Sequence, residues 1–151
     1  MEIISFYEND RQEHWLRKLD ECDWRAGASL CRMIRENTFF GKLGKTTRLL
    51  LLTDGDEIVS FCTYAEMDDI QPTDLTPWIG FVYTYPKYRG HRYFGLLMDE
   101  IERLAEEENV SAVYISTNET GLYEKYGCEY YAEMTDIHGE PSRVYIRRFA
   151  V

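Results

Sequence analysis

"YPKYRGHRYFGLLMDEIERLAEEE", Tyr85 to Glu108, carries its charges in reverse. Phe94, Leu97, Met98, Ile101, Leu104 and Ala105 recur at helical spacing and predict one apolar stripe facing a core. Lys87, Arg89, His91 and Arg92 stand at the start of this helix and Glu106, Glu107 and Glu108 close it, against the sign that a helix dipole favours. The run "WIGFVYTY" (Trp78 to Tyr85) leads in as a strand. A strand, a Gly-containing loop and a helix start form an anion site, because free backbone N–H groups and the positive dipole end face one point. Cations gathered there cost an empty helix roughly a few tenths of a kcal/mol each, and a bound phosphate reverses that sign. The competing reading is a solvated basic loop balanced by the acidic tail. Neither a nucleotide P-loop (GxxxxGK followed by Ser or Thr) nor a GxGxxG dinucleotide fingerprint is present.

Outward from this segment the chain reads as alternating strands and helices. "EIISFYE" is a short opening strand, and Trp15, Leu16, Leu19, Leu30, Met33 and Ile34 predict two helices broken near Ala26-Gly27, the first capped by Asn9 or Asp10. "RLLLLTDGDEIVSFCTYAEM" predicts a hairpin turning at Asp54-Gly55. "SAVYIST" is a further buried strand, "GLYEKYG" a short helix ended by Gly127, and "CEYYAEM" and "RVYIRRFAV" two last strands around a "DIHGEPS" turn. No repeat or linker divides residues 1–151, so the expectation is one α/β domain with a mixed central β-sheet flanked by helices.

Composition narrows the function. A net charge of −10 argues against nucleic acid, which needs a basic face, and suits either solubility alone or a cationic substrate. Cys22, Cys31, Cys62 and Cys128 form no CxxC pair and have no His at ligand spacing, so no metal site is expected. The opening "MEIISFYEND" lacks signal-peptide character and no apolar run approaches a membrane span, so a cytoplasmic location is expected. The aromatic-rich final strands suit either pairing across a homodimer or an internal sheet edge.

"PKYRGHRYFGLLM" resembles the acetyl-CoA motif of the GCN5-related N-acetyltransferase (GNAT) family, commonly P-x-Y-R-G-x-G-x-G-S-x-L-L, with Arg89, Gly90, Leu97 and Met98 in register. "GLYEKYGC" (Gly121 to Cys128) is similar to the family's LYEKxGF segment, at the expected distance and after the expected strand. The resemblance implies a GNAT-like fold whose splayed central strands form an acetyl-CoA cleft. It implies an N-acetyltransferase that moves acetyl directly to a primary amine of a small molecule or peptide, with the acidic balance tilting toward a cationic acceptor. Phe81, Val82 and Tyr83 would offer backbone groups to pantetheine. Arg89, Gly90, His91, Arg92, Tyr93, Phe94 and Gly95 would hold the pyrophosphate. Asn118 would supply a further coenzyme contact, although Ser116 holds the place where the family often has Asn. Tyr123 would act on the departing thiolate as general acid or hydrogen-bond donor.

Two features depart from the pattern. Arg92 and Phe94 fill positions where the family has small residues, so Arg92 is expected to turn outward toward phosphate and Phe94 to enter the core. No carboxylate lies in "WIGFVYT", so the base is sought in Glu66, Asp68 and Asp69 beyond the hairpin, with Glu66 named, and with Tyr83 as a water-mediated relay. The filled glycine positions and absent base equally suit a degenerate acyl-CoA-binding module. His138 is a further acceptor-side candidate, and Trp15, Trp24 and Trp78 read as core or cleft wall.

Overall fold

A computed structural model describes residues 1–150. Seven strands form one sheet in the order β1-β2-β3-β4-β5-β7-β6. They are β1 (Glu2–Ser5), β2 (Arg48–Asp54), β3 (Glu57–Ala65), β4 (Trp78–Thr84), β5 (Ala112–Thr117), β6 (Glu129–Thr135) and β7 (Pro141–Arg148). Every pairing is antiparallel except β4 with β5, which is parallel. The helices are α1 (Gln12–Asp20), α2 (Arg25–Arg35), α3 (Phe39–Leu43) and α4 (Phe94–Glu107).

The leucine run of β2 is buried on both faces, which is why it reads as continuous rather than alternating. Leu50 and Leu52 join the core built on α4, while Leu49 and Leu51 join the core under α1 and α2. All six residues of the expected α4 stripe are buried. The acidic end of α4 is balanced locally, since Arg103 bonds Glu100 (2.8 Å) and Glu107 (2.9 Å) and Arg48 reaches Glu108 (2.8 Å). The cations at its start have no such carboxylate partners among the described residues.

The early helices differ from expectation. The break falls at Glu21–Trp24, and Gly27 lies inside α2, where it is buried against Cys22 and Trp24 rather than serving as a breaker. Asn9 accepts from the Arg11 amide (2.8 Å) and the Trp15 indole (3.2 Å), yet Arg11 itself occupies the cap position. A third short helix, α3, follows α2. The Tyr123–Tyr126 segment is a 3-10 turn closed by Gly127 at φ +85°. No helix among the described residues is long and apolar enough to cross a membrane.

Candidate active site

A defect in the sheet creates the site. Phe61 pairs with Tyr83 and Thr63 with Gly80, so Cys62 alone faces both Phe81 and Val82. This two-against-one bulge puts Phe81 at φ +49° and turns β4 away from β5. The parallel ladder accordingly stops after Trp78–Tyr114 and Ile79–Ile115. Beyond it the strands part around a cleft of about 1320 Å³, larger than the roughly 300–1,000 Å³ of a single small-molecule site.

One mouth of the cleft is the loop into α4. Gly90 (φ +88°) and Arg92 (φ +55°) both adopt left-handed backbone. The amides of Gly95 and Leu96 are spent on the carbonyls of Arg92 (2.9 Å) and Tyr93 (3.0 Å), whereas those from Gly90 to Phe94 have no acceptor among the described residues. This run of free N–H groups at a helix start is an anion cradle. Arg92 thus takes the backbone shape that glycine would supply, and its side chain is exposed at the cleft edge. Phe94 is buried, with its ring edge-on to Tyr123 (6.0 Å) and Tyr126 (5.1 Å). Arg89 donates through Nε to Thr84 O (2.8 Å) and lies over the Tyr83 ring (5.3 Å).

Tyr123 stands on the α4 side of the opening, in the same core as Cys62 and Phe94. Burial, with the neighbouring Cys62 next, pushes its hydroxyl well above the ordinary phenol range. That hydroxyl has no protein partner among the described residues, and Tyr123 lines the cleft.

The opposite wall comes from the α1–α2 side. The Trp24 ring stacks on Tyr83 at 5.5 Å and 14°, and the Tyr83 hydroxyl donates to Asp23 (3.2 Å). Asp68 and Asp69 line the cleft from the segment after β3. Burial raises both carboxyls above the usual range, and Asp69 raises Asp68 further through its charge. The β6–β7 turn closes this side, with Ile137 N donating to Asp69 O (2.8 Å) and His138 on the lining.

Of the residues singled out from sequence, Phe81, Val82, Tyr83, Arg89, Gly90, Arg92, Tyr93, Phe94 and Tyr123 meet at this cleft. Glu66 does not. It accepts from Thr46 N (2.8 Å) and Thr46 Oγ1 (2.6 Å), which hold its carboxyl below the ordinary range, and its side chain packs over Gly44. Those bonds make it a brace for the α3–β2 loop and a poor proton acceptor. Asn118 accepts from Arg143 N (3.3 Å) and lies off the lining, as do His91, which packs on Tyr93 (5.2 Å), and Gly95, which packs by Tyr126. Gly80 escaped sequence reading because only the folded chain brings Asp68 onto it.

A strand bulge, a split parallel pair and an amide cradle at the following helix together make this cleft. The family model for the GNAT acetyltransferase domain matches residues 12–131, and the chain belongs to that family. No curated protein sequence matches it significantly. Among solved structures, an aminoglycoside 6'-N-acetyltransferase complexed with coenzyme A is similar with a TM-score of 0.68 and 13% identity, covering 100% of this chain and 98% of that one. The aminoglycoside 6'-N-acetyltransferase of Enterococcus faecium gives 0.69 and 12%, covering 100% and 98%. A GNAT acetyltransferase of Elizabethkingia anophelis with acetyl-CoA bound gives 0.56 and 15%, covering 69% and 77%. At such identities the likeness is one of fold.

Proposed function

We propose that this chain transfers acetyl from acetyl-CoA directly to a primary amine of a small cationic molecule or peptide. The observation that supports it most is the pair Asp68 and Tyr123, which border one opening from opposite faces of the sheet. The amine nitrogen would attack the thioester carbonyl carbon of acetyl-CoA, the carbon–sulfur bond would break, and CoA would leave as a thiolate that takes up the second proton the nitrogen loses. The free amides from Gly90 to Phe94, with Arg92 beside them, would hold its diphosphate. The β4 edge freed beyond Ile79 would run along the amide groups of pantetheine.

Asp68 would take the proton of the incoming ammonium. Its raised pKa makes it a stronger base than a surface carboxylate, which suits it to that transfer. Tyr123 keeps its proton because it is buried, and so can donate a hydrogen bond to the sulfur as charge develops there. A free thiol ionises near ~8.5, below a phenol raised beyond ~10, so the hydroxyl stabilises the thiolate more readily than it surrenders its proton. Glu36, Asp68 and Asp69 on the acceptor wall favour a cationic amine, and the aminoglycoside neighbours support an amino sugar within that class. Arg32 and Lys42 share that wall, so its field is mixed.

The test is thiol release from acetyl-CoA over a panel of amino sugars, polyamines and lysine peptides, with calorimetry of coenzyme binding beside it. Amine-dependent release is the expected result. Tight binding with no release on any amine would return the chain to the reading of a binding module.

A further inference from the structure

Gly80 lies on β4 directly before the bulge and pairs with Thr63. Ile79 joins the core on α4, so alternation along β4 up to the bulge points position 80 toward the α1–α2 layer, where the bulge also turns Phe81. Asp68 fills the space where a side chain would stand. A β-carbon on Gly80 would lie 2.9 Å from Asp68 Cγ and 3.2 Å from Oδ2, and nearer still to Oδ1. Such separations exclude even a methyl group unless the carboxylate leaves. No backbone reason demands glycine here, since Gly80 is not among the positive-φ residues. Among the cleft's glycines, position 80 is the one whose missing side chain is replaced by a carboxylate.

We propose that Gly80 is a positioning residue, whose bare α-carbon seats the Asp68 carboxylate against β4 beside the opening. This rests on the reading of Asp68 as base. Asp69 is the acidic group beside the seat and itself feels the charge of Asp136 from the β6–β7 turn, while the Ser116 hydroxyl of β5 pairs with Ser142 (2.8 Å). Thr63, paired with Gly80, carries a buried hydroxyl with no partner among the described residues, so a donor stands on the strand next to the seat. A side chain at 80 would drive Asp68 outward into solvent, away from its neighbours and from the amine, while leaving the amide cradle at Gly90–Phe94 intact.

The test follows the aspartate carboxyl carbons of ¹³C-labelled protein through a pH titration, with the Asp68 signal assigned by its loss in Asp68→Asn. In wild type that signal titrates above ordinary aspartates, and in Gly80→Ala it falls by about one pH unit or more as the group meets solvent. Coenzyme affinity by calorimetry stays within about threefold and amine turnover falls about tenfold. An unmoved Asp68 titration in Gly80→Ala overturns the inference. Full turnover in Asp68→Asn overturns the base reading instead and leaves the seat to be judged by the titration. If Gly80→Ala does not fold, Gly80→Ala/Asp68→Ala decides: recovery of the melting temperature of Asp68→Ala supports the seat, and failure to recover overturns it.

Discussion

Asp68 is a residue whose chemistry opposes its stability. Its carboxyl titrates at higher pH in the folded chain than in the unfolded one, because burial and Asp69 disfavour its charge. Between those two values the folded state holds the extra proton, so stability falls as pH rises through the window and is lowest above it. Asp68→Asn is therefore expected to raise the melting temperature above that window and to change it little at acidic pH where the carboxyl is neutral. Thermal unfolding at both ends of the range checks this, and a uniform loss would count against it. In wild type, kcat/KM should fall on the acidic side through the same raised pKa. Tyr123→Phe keeps the ring that packs on Phe94 but loses the hydroxyl, so turnover should fall about tenfold or more at unchanged coenzyme affinity. Glu66, by contrast, looks equally acidic in sequence and is tied to Thr46.

At the scale of elements, the loop into α4 explains both the reversed charges and the motif's departures. Its acidic end is neutralised by Arg48 and Arg103, while its basic start keeps free amides and an exposed Arg92. Left-handed backbone costs an L-residue about 1–2 kcal/mol, and glycine's extra unfolded freedom returns roughly 0.5–1. Arg92→Gly is thus expected to stabilise the protein by up to about 1 kcal/mol by denaturant titration, while weakening coenzyme binding if the guanidinium meets phosphate. The α4 stripe was legible because its period of 3.6 is written in consecutive residues, and β2 and β3 because their short apolar runs are bounded by the Asp54-Gly55 turn. The β4 bulge was not, since "GFVY" reads as uninterrupted strand and only the register against Phe61 and Thr63 exposes the extra residue. The break between α1 and α2 was misplaced for a related reason: Gly27 is a close-packing glycine, and Gly in sequence does not say which use it serves.

Across the whole molecule, one sheet separates two apolar layers, and the cleft is the place where both layers reach it through the gap between β4 and β5. Ile101 is fully buried in the layer that also holds Tyr123. Ile101→Ala should cost about 2–5 kcal/mol of stability in denaturant titration, because the packed neighbours close only part of the cavity. Acetyl-CoA should raise the melting temperature, by the equivalent of about 2.7 kcal/mol at a hundred times its dissociation constant. The most direct test of the account compares wild type and Asp68→Asn for thiol release at saturating acetyl-CoA, on the best amine of the panel. Amine-dependent release by wild type, at least tenfold slower in the variant with equal coenzyme affinity, is the predicted result. Equal rates in the two proteins, or no release by wild type on any amine, would contradict it.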